Sequence, residues 1–157
     1  IQFDAHSDMR DEYEGSSHNH ACVMARALEL TDSVTQVGIR SSDTSELKNI
    51  NPSRIFHAYK IKEQQGWEKE VSAQLKKNVY ITIDLDVLDP AYLPSTGTPE
   101  PDGLSYRDLL RTIGLIAKEH NIVGLDVVEL CPNPASKASD FLAAKLIYQI
   151  LSLVFNK

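Results

Sequence analysis

The sequence predicts a three-layer α/β/α fold built on a mostly parallel sheet. Two observations carry that prediction. Short β-branched runs alternate along the chain with longer stretches of helical period. The strand runs are also nearly continuous in apolar residues, as strands covered on both faces are, instead of alternating apolar with polar. A third observation directs attention within the fold. In open α/β sheets ligands sit beyond the carboxyl ends of the strands, and here the residues after Phe3, Ile83 and Val128 are all acids.

Taken in order, residues 1–3 read as the end of a strand and residues 20–30 have helical composition. Residues 35–39 form a strand closed by Arg40 and a Ser/Asp loop, and residues 55–58 another short strand. In residues 67–77 the apolar side chains Trp67, Val71 and Leu75 fall four apart, along one helix face. Residues 79–83 are a buried-type strand followed by a long loop, 84–103, which holds four of the seven prolines. Ser105-Tyr106-Arg107-Asp108 has the form of a capping box, with Asp in place of Glu or Gln, opening a helix over 106–119. Residues 122–128 are the next strand. The final segment repeats Ala143, Leu146, Ile147, Ile150, Leu151 and Val154 at helical spacing, which predicts an amphipathic helix packed onto the sheet.

The chain has 157 residues, 42% of them hydrophobic and 24% charged, with a net charge of −6. That is enough apolar side chain for one globular domain over 1–157 and too much for disorder. The acid excess, with its Lys and Arg scattered, excludes a nucleic-acid surface. The longest nearly apolar run, 146–155, is about half of the roughly 20 residues that span a bilayer, so no membrane segment is expected. Two cysteines, Cys22 and Cys131, make neither a disulfide framework nor a four-ligand zinc site, which favours a reduced, cytoplasmic compartment. The first residues, Ile1-Gln2-Phe3-Asp4, lie inside a strand and carry no initiator Met. The expectation is a C-terminal portion of a longer protein, with the N-terminal part of the sheet missing.

Two short motifs carry the chemistry. Asp4-Ala5-His6-Ser7-Asp8 places two carboxylates and an imidazole at alternate positions, on one side of an extended segment. Asp84 and Asp86 stand two apart where an otherwise apolar strand ends. Burying paired carboxylates costs several kcal/mol each unless a cation or strong donors compensate, on the order given for buried ions. Oxygen-rich ligands with one or two His favour Mn²⁺ or Mg²⁺ over structural zinc. Four Asp balance the charge of two divalent ions, so a binuclear centre that activates a water is the expected device.

These motifs resemble those of the ureohydrolase family, the arginases, agmatinases and their relatives. The first is similar to the family's Asp-Ala-His-x-Asp motif, and Ile83 through Pro90 (IDLDVLDP) to its second metal motif. The likeness continues through Gly38-Ile39-Arg40-Ser41, Thr96-Gly97-Thr98-Pro99-Glu100-Pro101 with Gly103-Leu104-Ser105, and Asp126-Val127-Val128-Glu129-Leu130-Cys131-Pro132.

The resemblance implies an arginase-like version of the fold. It also implies two Mn²⁺ per subunit held by Asp4, His6, Asp8, Asp84 and Asp86, with Asp8 also catalytic. Family members use a further histidine in an upstream Gly-Gly-Asp-His motif, a motif that residues 1–157 do not contain. The family places a proton-shuttling histidine just before a small residue that opens a helix, which suits His20 better than His18. Glu129 is the expected receiver of the substrate guanidinium, and Thr98 lies in a loop that approaches the substrate. The implied reaction is hydrolysis of the guanidino C–N bond of agmatine to urea and putrescine, in a homo-oligomer, trimer or hexamer. The alternatives are an arginase, another guanidino- or formimino-acid ureohydrolase, or a catalytically incomplete member acting as a binding or regulatory subunit. A single-zinc amidohydrolase of related architecture is disfavoured by the doubled Asp motif.

Overall fold

A computed structural model describes residues 1–156. Five parallel strands form one sheet: β1 (Gln2–Phe3), β2 (Gln36–Ile39), β3 (Ile55–His57), β4 (Asn78–Asp84) and β5 (Asn121–Val128). Their spatial order is β3-β2-β1-β4-β5. The chain therefore winds outward from β1 in one direction through β2 and β3, then returns to the other flank of β1 to continue through β4 and β5. β1 and β4 meet at the point where the winding reverses. That switch point opens a crevice beyond the carboxyl ends of the strands, where ligands bind in such sheets. Gln2 pairs with both Gln36 and Thr82, and Phe3 with Val37 and Ile83, so Asp4 and Asp84 leave the sheet side by side.

The helices are α1 (Val23–Leu28), α2 (Ala58–Glu63), α3 (Trp67–Ala73), α4 (Tyr106–Glu119) and α5 (Ala138–Phe155). With the sheet they make a three-layer α/β arrangement. The main core joins Phe3, Val37, Ile81 and Ile83 of the strands to Ile61, Val71, Leu109, Ile113, Ile116 and Leu146 of the helices. A smaller cluster of Met9, Met24 and Val34 packs α1 against the loop after β1.

Several elements depart from their sequence-based bounds. The helix expected over 20–30 is a 3₁₀ turn, His20–Cys22, followed by the short α1. Asn19 accepts from Ala21 N–H and starts the turn, and Thr31 closes the helix by donating to Ala27. The strand at 55 ends at His57, and α2 follows with no intervening loop. α3 stops at Ala73, short of residue 77. α4 spans the expected 106–119, but only half of the capping box forms. Ser105 Oγ accepts from Asp108 N–H at 3.1 Å, and donates to the Asp108 carboxylate at 2.6 Å instead of leaving that carboxylate to reach back to the cap. α5 packs beside α4, and its Ala143, Leu146 and Ile150 join the buried core that contains Ile81 and Ile83 of the sheet. Ala143, Leu146 and Ile150 are buried, whereas Ile147 and Leu151 of the expected stripe are more than a third exposed. Over its 18 residues α5 is long and apolar enough to cross a membrane by length and composition, a property the run-length argument missed because Lys145 cuts the run off from residues 138–144 of the same helix.

Two glycines fix the approach of the elements. Gly38 adopts φ +96°, and a Cβ there would lie 2.6 Å from Val87 Cγ2 and 3.0 Å from the Asp4 carbonyl oxygen. A Cβ on Gly103 would lie 2.5 Å from Asp89 N. Both positions bring the proline-rich loop and β2 against the segment that carries the acids.

Candidate metal centre and active site

Asp4 leaves β1 with its backbone N–H bonded to Val37 O, and its side chain folds back to accept from His6 N–H at 2.6 Å. Asp84 ends β4 and accepts from Asp86 N–H at 2.8 Å, so it caps the 3₁₀ turn Leu85–Val87. That turn swings Asp86 toward β1, where it accepts from Ala5 N–H at 3.0 Å. His6 Nδ1 lies 3.0 Å from Asp86 Oδ2 and 3.6 Å from Asp4 Oδ1. One donor atom from each of Asp4, His6 and Asp86 falls within 4.8 Å of the others.

Asp8 and Asp84 lie outside that tight trio but line the same cavity, of about 700 Å³. Asp8 does not arrive by simple alternation. Its φ is +52°, so the chain has left the extended conformation that the i, i+2, i+4 spacing implies. His20, Thr98 and Glu129 also face the cavity, and His18 is not among its lining residues. Glu129, just past β5, adopts φ +65°. Thus, among the described residues, two of the four non-glycine residues with positive φ stand at this cavity, where strained backbone commonly serves function. Thr98 Oγ1 is 3.3 Å from Asp86 Oδ2, a contact with an acid of the cluster that the loop position alone did not suggest.

Electrostatics explain what the cluster demands. Burial pushes the Asp4 carboxyl up to about 6, Asp8 to about 8 and Asp84 to about 10, with neighbouring acids adding to the effect. Burial pushes Asp86 up as well, but its bonds from His6 and Ala5 outweigh that, and it stays below the ordinary range. Hydrogen bonds to Asp4 and Asp86 raise His6 to about 10. Asp4, Asp8 and Asp84 thus keep their protons to higher pH than free carboxylates do, for want of positive charge. A set of carboxylate oxygens and one imidazole nitrogen, crowded and short of cation, fits a hard divalent metal ion.

Other residues at the site escaped the sequence reading. Gln2 is buried beneath the acids, its Nε2 2.6 Å from Asp4 Oδ2 and 3.4 Å from Asp8 Oδ2. Gln36 Nε2 donates to Gln2 Oε1 at 2.5 Å and to Ser7 O at 2.7 Å. The available signal was a carboxamide in each of two neighbouring core strands, Gln2 two residues before Asp4. Tyr13 meets the His20 ring edge-on at 5.7 Å, and Arg10 stacks over Tyr13 at 4.6 Å. Arg40, in contrast, is spent on structure. Its guanidinium donates to the carbonyls of Gly38, Asp86, Glu100 and Pro101, tying the Asp86 turn to the proline-rich loop.

Among known families, the arginase family model matches residues 1–152. The chain belongs to the arginase family. It is 39% identical over 154 residues to the N(1)-aminopropylagmatine ureohydrolase of Synechocystis sp., covering 96% of this chain and 50% of that protein. It is 32% identical over 153 residues to the agmatinase of Pyrococcus horikoshii, covering 98% and 54%. The agmatine ureohydrolase of Thermoplasma volcanium superposes with a TM-score of 0.86 at 36% identity, covering 98% and 53%. The chain spans about half the length of these arginase-family relatives.

Proposed function

We propose that the protein hydrolyses the guanidino C–N bond of agmatine, releasing urea and putrescine, with two Mn²⁺ per subunit held by Asp4, His6, Asp8, Asp84 and Asp86. The observation that carries this reading is the strand-end cavity at the sheet's switch point, which gathers the five ligand candidates with His20 and Glu129. When bound, the ions supply a water made nucleophilic at neutral pH.

The chain's own residues do the remainder. Glu129 offers two carboxylate oxygens to the parallel N–H groups of a guanidinium and so fixes the plane of its carbon. Asp8 accepts a hydrogen bond from the attacking water and aims its lone pair at that carbon. The C–O bond forms first and leaves the guanidino carbon tetrahedral; the C–N bond to the alkyl chain then breaks, and His20 hands the departing amine nitrogen the proton that the water has given up. An imidazole suits the task because it titrates near neutrality. Tyr13, against the His20 ring, keeps it facing the cavity. Thr98 holds Asp86 and borders the substrate.

Charge along the cavity wall supports a substrate without a carboxylate. Its lining includes Asp43, Glu46, Asp126 and Glu129 beyond the ligand candidates, while Arg10 is its one arginine or lysine. Arg10 is already engaged, 3.4 Å from Asp43 and stacked on Tyr13. Agmatine fits this wall better than arginine. A longer polyamine, N(1)-aminopropylagmatine, is the second reading, supported by the relative at 39% identity.

The test is urea release by the intact Mn²⁺-loaded protein with agmatine, N(1)-aminopropylagmatine and arginine in parallel. Turnover of agmatine at least tenfold above the other two supports the reading. Preference for the aminopropyl compound moves the assignment to the longer substrate, and silence on all three rejects these substrates and leaves another guanidino- or formimino-acid substrate or a binding or regulatory role.

A further inference from the structure

Glu46 lies in the turn after β2, 4% exposed, and the sequence reading gave it no role. Its Oε2 accepts from Ser7 Oγ at 2.7 Å and from Asp43 N–H at 2.6 Å, and its Oε1 accepts from Met9 N–H at 3.0 Å. Ser7 and Met9 are the two neighbours of Asp8, which stands between them at φ +52°. The same residue is pinned from a second side, where Asp8 O accepts from Met24 N–H at 3.0 Å. A left-handed aspartate persists only where its surroundings over-determine it, and here a buried carboxylate grips the residue on each side of it.

We propose that Glu46 is a positioning residue for Asp8. It clasps Ser7 and Met9, holds the left-handed turn, and thereby fixes where the Asp8 carboxylate points in the cavity. The proposal rests on the reading of Asp8 as a metal ligand. Direct contact between Glu46 and substrate is disfavoured by the same geometry. Three of the roughly four lone-pair directions of a carboxylate are filled by protein donors, and the side chain is almost fully covered. Glu46 also completes a capping box with Asp43, so its loss alone would disturb the turn Thr44–Glu46. Ser7 provides the separating variant, because its hydroxyl touches Glu46 without taking part in that box.

The experiment is Mn²⁺ titration of the intact protein, by calorimetry and by Mn²⁺ electron paramagnetic resonance, for wild type, Glu46→Gln, Ser7→Ala and the double variant. kcat, KM and Tm are measured alongside. Glu46→Gln is expected to weaken Mn²⁺ binding at one of the two sites by about 10- to 100-fold, the usual cost of losing an outer-shell partner. KM should stay within about twofold, the outcome for a residue outside the substrate's reach. Ser7→Ala should weaken the same site at nearly unchanged Tm, and the double variant should fall well short of the product of the two, because they share one contact. Unchanged Mn²⁺ binding in both single variants overturns the clasp, whether or not Tm falls. A raised KM with normal Mn²⁺ binding overturns it in favour of substrate contact. A wild type that binds no Mn²⁺ overturns the ligand reading and the clasp with it, which separates the two failures.

Discussion

Asp8 and Asp84 are the acids whose side chains burial perturbs most, raised to about 8 and about 10. A carboxylate held so far above its ordinary value is poorly compensated by protein donors, so its ionised form depends on an added cation. Replacement by Asn keeps the shape and removes the charge. Asp8→Asn and Asp84→Asn are each expected to lower Mn²⁺ content, read by elemental analysis of the intact protein, and urea release in step, by tenfold or more. Full turnover at normal metal content in either variant would sink the ligand assignment. Gln2 behaves differently, since it donates to Asp4 and Asp8 without offering charge. At this scale the sequence was informative about the acids because carboxylates at strand ends need an explanation in charge. It was silent on Glu46 and Tyr13, whose partners lie far along the chain or depend on a turn that local spacing does not encode.

Among the elements, α4 was the most legible, and the reason is local. Its start carries a Ser cap, its apolar positions Leu109, Ile113 and Ile116 follow one face, and all three are fully buried. Ser105→Ala removes the acceptor for Asp108 N–H, and is expected to cost about 1 kcal/mol of stability in a denaturant titration. No measurable loss would mean that water or the Asp108 side chain satisfies the helix end equally well. The short elements were less legible because tertiary contacts set their ends. β1 is only two residues long and owes its place to two neighbouring strands, and α2 begins directly from β3, where no turn signal separates them. α5 was found as a helix, but its buried stripe is narrower than expected, with Ile147 and Leu151 more than a third exposed. Its apolar residues run around much of the helix, with Phe141 75%, Tyr148 68% and Phe155 77% exposed, so periodicity alone could not set the width of the buried face.

For the molecule as a whole, the crowded acids make stability, pH and metal a single linked question. In the metal-free protein the folded-state values of Asp4, Asp8 and Asp84 all lie above the ordinary carboxylate value, and that of His6 lies above the ordinary histidine value. Groups raised in this way bind more protons folded than unfolded between the two values, so their stabilising effect is lost as pH rises through that interval. For the carboxylates the loss begins near 4 and continues to about 6, 8 and 10 in turn. For His6 the contribution is full below 6.5 and fades through about 10. Asp86, lowered instead, has its stability present above the ordinary carboxylate value and loses it as pH falls below that value, outside this window. The net expectation is a Tm that falls from pH 5.5 to 8.5 in the presence of a chelator. A divalent ion competes for the same oxygens and nitrogen as the protons do, so its affinity rises over the same interval. Saturating Mn²⁺ should therefore flatten or reverse the slope, and thermal unfolding of the intact protein across that pH series reads both arms. A metal-free Tm that rises with pH would show that the acids are ionised and satisfied by the protein alone, and would remove the physical reason for placing metal among them.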